Sequence, residues 1–294
     1  MYAFLKRAAS GYTGLASWLP AIGGVPGLKT YFPEDRYSTA VNAPVSILNR
    51  LLGGWRWAFY LQYLAVVAAA RKSAVSGLYD DPAWAESSLA VLRTVERNRG
   101  RFEITGIDNL RNFAKAGPFV FISNHMSTLE TQILPVLIAP LMPVTFVVKE
   151  GLVTNPVFGP VMRSRDPVVV KRRNPREDLE VVLREGGKRL QHGVSLVVFP
   201  QSTRSPVFRR ENFNTLGVKL AAAAGAAAFP IAVKTDFWGE EGLFRGFGPV
   251  RPERTIHLEF GKPLAVSGRG KEQQLEIIEF IESRLRLWQG SVPA

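Results

Sequence analysis

Cysteine is absent from this 294-residue chain, which removes disulfides, thiolate nucleophiles and cysteine-type zinc sites together and fits a reducing compartment. Long apolar runs are missing too. No stretch reaches the roughly 18–20 residues needed to cross a bilayer; the nearest, Trp57 to Ala70, is interrupted by Gln62. After Lys6 and Arg7 the residues Gly11, Thr13, Gly14 and Ser17 break any apolar core, so a cleaved signal peptide is not expected. Internal repeats and low-complexity tails are lacking, and no zinc-finger, RNA-recognition or helix-turn-helix signature argues for nucleic acid as a partner. Acidic residues are in deficit: 37 basic against 25 acidic side chains leave a charge of +12, which favours anionic partners.

The remaining composition, 46% apolar and 21% charged, is that of a globular chain, and six Trp and eighteen Phe suggest apolar surface as well as core. The length suits one large domain with a smaller attachment. Residues 1–40 mix aromatic residues with Trp18, Pro20, Gly23, Gly24, Pro26 and Gly27, against one long helix. From Val45 to about Ser73 the pattern is helical and very apolar, with Arg50 and Arg56 before it and Arg71 and Lys72 after. Its Trp55, Trp57, Tyr60 and Tyr63 suit either a bilayer interface or a protein core. Asp81-Pro82 supplies a helix start, with Leu89, Leu92 and Val95 as its stripe.

Arg99–Arg101 is the boundary at which strand and helix begin to alternate, dividing an expected N-terminal helical region (1–100), suited to association with a membrane, from an α/β domain (101–294). Strands are expected at Arg101–Thr105, Phe119–Ile122, Val144–Val148, Ser195–Phe199, Ala228–Val233 and Thr255–Phe260. Helices are expected at Asp178–His192, ended by Gly193, at Thr215–Gly225, and at Gln274–Trp288 with Leu275, Ile278, Ile281, Leu285 and Trp288 inward. Such alternation predicts an α/β fold, a mainly parallel, twisted sheet flanked by helices.

Of the three histidines, His257 lies within a strand pattern and His192 before a helix-ending glycine, both structural positions. His125 differs. It ends the buried run of Pro118–Ile133 among Asn124, Ser127, Thr128 and Glu130, where a strand hands over to a helix and α/β proteins bind ligands. Five residues separate His125 from Glu130, about one helical turn, so the carboxylate can turn back toward the imidazole. That pair would make His125 a general base whose tautomer Glu130 fixes; a polar turn capping a helix reads the same way.

A second cluster, Phe199-Pro200-Gln201-Ser202-Thr203-Arg204-Ser205, also follows a buried strand. Arg204, with Ser202, Thr203 and backbone N–H groups, could clasp phosphate or carboxylate, although a solvated loop would also carry such residues. Between the clusters lie Lys149-Glu150-Gly151, Asn155–Gly159 and the basic residues Arg163, Arg165, Lys171, Arg172 and Arg173.

In this order the motifs resemble the glycerolipid acyltransferase family, typified by the 1-acyl-glycerol-3-phosphate acyltransferases. The likeness spans about residues 102–264 and rests on Gly106–Leu110, Asn124-His125-x4-Glu130, Lys149 with Phe158-Gly159, Val170-Lys171-Arg172, Phe199-Pro200-x-x-Thr203-Arg204-Ser205 and Phe229-Pro230-Ile231. Glu130 stands where the family usually has Asp, and Gln201-Ser202 where it usually has Glu-Gly. The resemblance implies a glycerol-3-phosphate acyltransferase-like fold and direct transfer of a fatty acyl group from acyl-CoA or acyl carrier protein to the hydroxyl of a lysophospholipid, such as 1-acyl-glycerol-3-phosphate. His125 would be the base and Glu130 its partner. Arg204, Thr203, Ser202, Arg172 and Lys149 would hold the acceptor's phosphate, with Asn124, Gln201 and Pro230 in support. No metal or cofactor is implied beyond the donor. Another lipid acceptor, a lipid A precursor or an aminolipid, or a non-catalytic lipid-binding relative are the alternatives. The apolar N-terminal segment and positive charge imply a peripheral or monotopic place on the cytoplasmic face of a membrane.

Overall fold

Residues 28–241 and 247–290 are described by the computed structural model of this chain. The expectations for residues 1–27, including those on the signal peptide and on Trp18, Pro20, Gly23, Gly24, Pro26 and Gly27, lie outside the described residues.

Eight strands among the described residues form one sheet: β1 (Tyr37–Ser38), β2 (Phe102–Thr105), β3 (Phe119–Ser123), β4 (Val144–Lys149), β5 (Val168–Val170), β6 (Ser195–Val198), β7 (Ala227–Lys234) and β8 (Ile256–Phe260). Their order is β1-β2-β8-β7-β3-β6-β4-β5. The pairings β1–β2 and β7–β8 are antiparallel and the rest parallel, so the sheet is mixed and mainly parallel. β1 and β5 carry too few apolar residues in a row to stand out in the sequence.

Strand alternation feeds two cores. In β3, Phe119 and Phe121 enter one apolar cluster while Val120 and Ile122 enter another on the opposite face, as a side-chain period of two requires. The first face is covered by α1 (Arg56–Val75), α2 (Asp81–Arg97) and α3 (Leu129–Ile138). The second is covered by α4 (175–191), α5 (Leu216–Ala224) and α6 (Lys271–Gly290).

Most of the aromatic segment before residue 75 belongs to the core, with Phe59, Tyr60 and Tyr63 buried and Trp55 left exposed. Gly53 and Gly54, both with positive φ, end a short helix at Ile47–Leu51 and separate it from α1. In α1 the buried residues Phe59, Tyr60, Tyr63, Val66, Val67 and Ala70 recur at helical spacing. Phe59 and Tyr63 pack edge-on to buried Trp238, with ring centroids 5.0 and 4.8 Å away. No helix among the described residues is long and apolar enough to cross a membrane.

α2 begins one residue earlier than its Asp-Pro signal suggested. Asp80 accepts the cap bond from Ala83 N at 2.9 Å, which leaves Asp81 and Pro82 inside the first turn. Ser88 of α2 repairs a defect in α3. Pro135 interrupts that helix, and the Ser88 hydroxyl donates to Gln132 O (2.5 Å) and accepts from Val136 N (3.0 Å), bridging two backbone groups that would otherwise pair directly.

On α6 the inward face comprises Ile277, Ile278, Ile281, Leu285 and Trp288, and Leu275 is exposed instead. The inward stripe steps by three and four from Gln274, leaving Leu275 off it. The Gly106–Leu110 motif is structural: a Cβ at Gly106 would sit 2.1 Å from Phe260 O, and Asn109 Nδ2 donates to that same carbonyl at 2.8 Å.

Candidate active site

The parallel strands β3, β4, β5, β6 and β7 end on one edge of the sheet, the edge where α/β proteins bind ligands. His125 lies two residues past β3, Gln201–Arg204 follow β6, Lys149 ends β4, Arg172 follows β5 and Thr235 follows β7. Residues far apart in sequence therefore converge because their strands point the same way.

At the centre, His125 Nδ1 lies 2.8 Å from Glu130 Oε1. Glu130 is fully buried, and its oxygens also accept from Met126 N (2.6 Å), Ser127 N (2.9 Å), Ser127 Oγ (3.0 Å) and Thr235 Oγ1 (2.6 Å). Burial alone would raise this carboxyl. The hydrogen bond and charge of His125, then the Thr235 hydroxyl and the backbone, override it and hold the group below its ordinary range. A charge that deep is sustained only because its lone pairs are met.

The imidazole is positioned on its other sides as well. The ring stacks on Phe199 at 4.2 Å between centroids, while the His125 backbone is held on both sides: its N–H donates to Gln201 Oε1 at 2.8 Å and its carbonyl accepts from Ser205 N at 2.9 Å. Among the described residues none is hydrogen-bonded to Nε2, and the side chain keeps 13% exposure. This arrangement can hold the Nδ1–H tautomer while leaving Nε2 to accept a proton.

Gln201 thus ties the two sequence clusters together through an amide oxygen, a bond for which a carboxylate is not required. Ser202 beside it holds φ at 59°, a left-handed conformation that glycine adopts without strain. Asn124 is a strut: its amide exchanges two 2.8 Å bonds with the Val233 backbone, pinning the end of β3 to β7.

Arg204 reaches the His125 loop. Its Nη1 bonds Thr128 Oγ1 and lies 3.1 Å from Glu240 Oε1. Arg172 stands in the same electrostatic neighbourhood: burial lowers its pKa, Asp178 opposes this, and the like charge of Arg204 adds to the lowering. A cleft of about 330 Å³ opens beside Arg172, lined also by Ser202 and Lys219 and by apolar residues including Val147, Leu179, Val198 and Phe199; it adjoins the His125 ring through Phe199, and Arg204 is not part of its wall.

Not every candidate joins this centre. Lys149 and Thr203 are exposed, at the end of β4 and after Ser202 respectively. Pro230 is buried within β7, its ring filling the space a Cβ on Gly261 would need. His192 is exposed with Nδ1 2.6 Å from Lys188 O, and half-buried His257 stacks on Trp288 and is held neutral by burial at a pKa of about 4. Thr235 and Glu240 escaped sequence reading, and Phe199, quoted there as part of the second cluster, was given no role against the imidazole. Thr235 did carry a signal, a polar residue at the end of an apolar strand, as His125 does; Glu240 carried none.

Residues 101–234 match the acyltransferase family. The 1-acyl-sn-glycerol-3-phosphate acyltransferase of Pseudomonas aeruginosa is 29% identical over 184 residues, 62% of this chain and 66% of that protein. A chloroplastic enzyme of the same description from Arabidopsis thaliana is 30% identical over 177 residues, 58% of this chain and 48% of that one. The matched part thus spans between about half and two thirds of those relatives' length. The crystal structure of the 1-acyl-sn-glycerophosphate acyltransferase of Thermotoga maritima shares the fold, with a TM-score of 0.53 at 19% identity, covering 82% of this chain and all of that one. The His125–Glu130 pair and the Arg204 loop both lie inside the segment, residues 101–234, that matches the acyltransferase family.

Proposed function

We propose that this chain is an O-acyltransferase of phospholipid biosynthesis that moves a fatty acyl group from an acyl thioester, acyl-CoA or acyl carrier protein, to the free hydroxyl of 1-acyl-glycerol-3-phosphate. The observation that carries the reading is the buried, fully satisfied Glu130 on His125 Nδ1, with Nε2 left to the acceptor. The named acceptor is supported by what the relatives' descriptions state of those proteins.

In this mechanism His125 Nε2 takes the acceptor's hydroxyl proton as its oxygen attacks the thioester carbonyl. Glu130 stabilises the imidazolium and prevents rotation of the ring. The tetrahedral intermediate collapses, the carbon–sulfur bond breaks, and His125 returns the proton to the departing thiolate. No acyl-enzyme forms, consistent with a chain that has no cysteine. Arg204 and Arg172 hold the acceptor's phosphate, with Ser202, Thr203 and Lys149 at the exposed rim, and the apolar wall of the cleft takes hydrocarbon.

A membrane location at the cytoplasmic face belongs to the same proposal. Ile47, Leu51 and Trp55 are exposed on the segment before α1, where Leu51 follows Arg50 and Trp55 precedes Arg56, a combination suited to an anionic lipid surface. Flotation with anionic vesicles should fall when all three are changed to Ser; unchanged flotation would remove this surface from the proposal.

The decisive assay mixes the purified chain with acyl-CoA or acyl carrier protein thioester and a panel of lysolipids. Product from 1-acyl-glycerol-3-phosphate that depends on His125 is the expected result. Acylation only of a non-phosphorylated acceptor, or of none, would overturn the acceptor or the activity respectively.

A further inference from the structure

Glu240 stands in the recognition half of the site, six residues beyond the matched segment. Its Oε1 accepts from Thr128 N at 2.8 Å and Thr128 Oγ1 at 2.9 Å, and lies 3.1 Å from Arg204 Nη1, which itself bonds Thr128 Oγ1. One oxygen therefore joins the start of α3, the loop that carries His125, and the guanidinium.

This carboxylate is not a loose surface charge. The Glu240 side chain is 19% exposed, and the residues before it are fixed: Trp238 is buried in the α1 aromatic cluster and Gly239 N donates to Pro249 O at 2.9 Å. Arg204 is engaged through Nη1 alone; among the described residues none is hydrogen-bonded to its Nε or Nη2. A guanidinium presents several donors in a planar fork, so a clamp on one nitrogen leaves a second edge open and fixed in direction.

We infer that Glu240 is the positioning residue of the acceptor-binding arginine: by clamping Arg204 Nη1 against Thr128, it aims the free Nε and Nη2 edge at the acceptor's phosphate. The inference rests on the reading of Arg204 given above. An arginine ordered before binding loses less freedom when the phosphate arrives. The opposing effect, repulsion between carboxylate and phosphate, is blunted because Glu240 is already met by two neutral donors and one cation, and Arg172 adds a second positive charge nearby.

The test measures KM for 1-acyl-glycerol-3-phosphate and for the acyl thioester separately, with Tm, in full-length variants. Glu240→Ala should raise the acceptor KM about tenfold while the donor KM stays within about twofold, the effect of releasing one charge-assisted contact. Glu240→Gln keeps the accepting oxygen and should restore most of the loss. Glu240→Asp preserves the charge but withdraws it by one methylene; it should give an intermediate acceptor KM at unchanged Tm, and serves where the alanine variant does not fold. In an Arg204→Ala background, Glu240→Ala should add nothing to the acceptor KM.

A fall in acceptor KM on removing Glu240 would make it a competitor for the phosphate and overturn the inference, as would a lowered Tm with both KM values unchanged, the mark of a helix cap alone. The two readings fail separately. Arg204→Ala with an unchanged acceptor KM overturns the phosphate role of Arg204 and this inference with it. An impaired Arg204→Ala beside a silent Glu240→Ala overturns only the role of Glu240.

Discussion

The two halves of the site are built on opposite plans. Around Glu130 everything is buried and paired: five donors converge on one carboxylate, and the helix that carries it is mended at Pro135 by a serine from its neighbour. Around Arg204 the side chains are partly exposed, one edge of the guanidinium has no partner among the described residues, and Ser202 sits in a conformation suited to glycine. Bond-making chemistry requires fixed geometry at a base, whereas recognition of a separate molecule requires donors left unsatisfied until it arrives. Under the proposed function the same sheet edge would supply both, by ending in a packed turn after β3 and an open loop after β6.

The comparison is tested hardest at His125. His125→Ala should lower kcat by roughly 10²–10⁴, the usual contribution of a general base, with little change in either KM. Steady-state rates would show it, and a loss confined to KM would move His125 from the chemical half to the recognition half. Next, Arg204→Ala should raise the acceptor KM about 10- to 100-fold, the equivalent of one hydrogen bond to a charged group, with the donor KM held. An effect on donor saturation alone would dissolve the division between the halves.

Smaller effects separate the buried half from the open one by stability. Ser88→Ala should destabilise the chain by about 1–3 kcal/mol in urea unfolding, because it removes the two hydrogen bonds that bridge Gln132 O and Val136 N beside Pro135. Glu130→Gln should show a similar loss at neutral pH. Its sign with pH is determined: the folded carboxyl lies below its ordinary value of 4.5, so its stabilisation is present above that pH and disappears as the pH falls through the lower, folded value. The gap between wild type and Glu130→Gln should therefore close in acid, and a gap that widened would contradict the paired carboxylate. The smallest effect is expected in the open half. Ser202→Gly relieves left-handed strain but adds unfolded-state entropy, so the unfolding free energy should change by less than about 1 kcal/mol.

Legibility followed the same division. His125 and Glu130 were visible because they lie five residues apart just after an apolar strand gives way to polar residues, a local pattern with a local cause. The core strands β3, β6 and β7 were visible for the same reason, as short runs bounded by polar residues. The aromatic segment before residue 75 was open to two readings because interface and core favour the same side chains; contact with Trp238, more than 170 positions downstream, places it in the core. Leu275 was misplaced by one helical position, since an apolar residue beside a stripe looks like part of it until the helix is docked.

By itself, then, the sequence determined the α/β alternation, the paired imidazole and carboxylate and the cationic loop after β6, because these depend on neighbours within a turn or a strand. Only the tertiary structure decided that Gln201 would bond the His125 backbone, that Thr235 would complete the shell of Glu130, and that Glu240 would share one oxygen with Thr128 and Arg204. Those contacts arise where parallel strands end on a common edge, and the order in which strands assemble into a sheet is not written in the spacing of the residues they bring together.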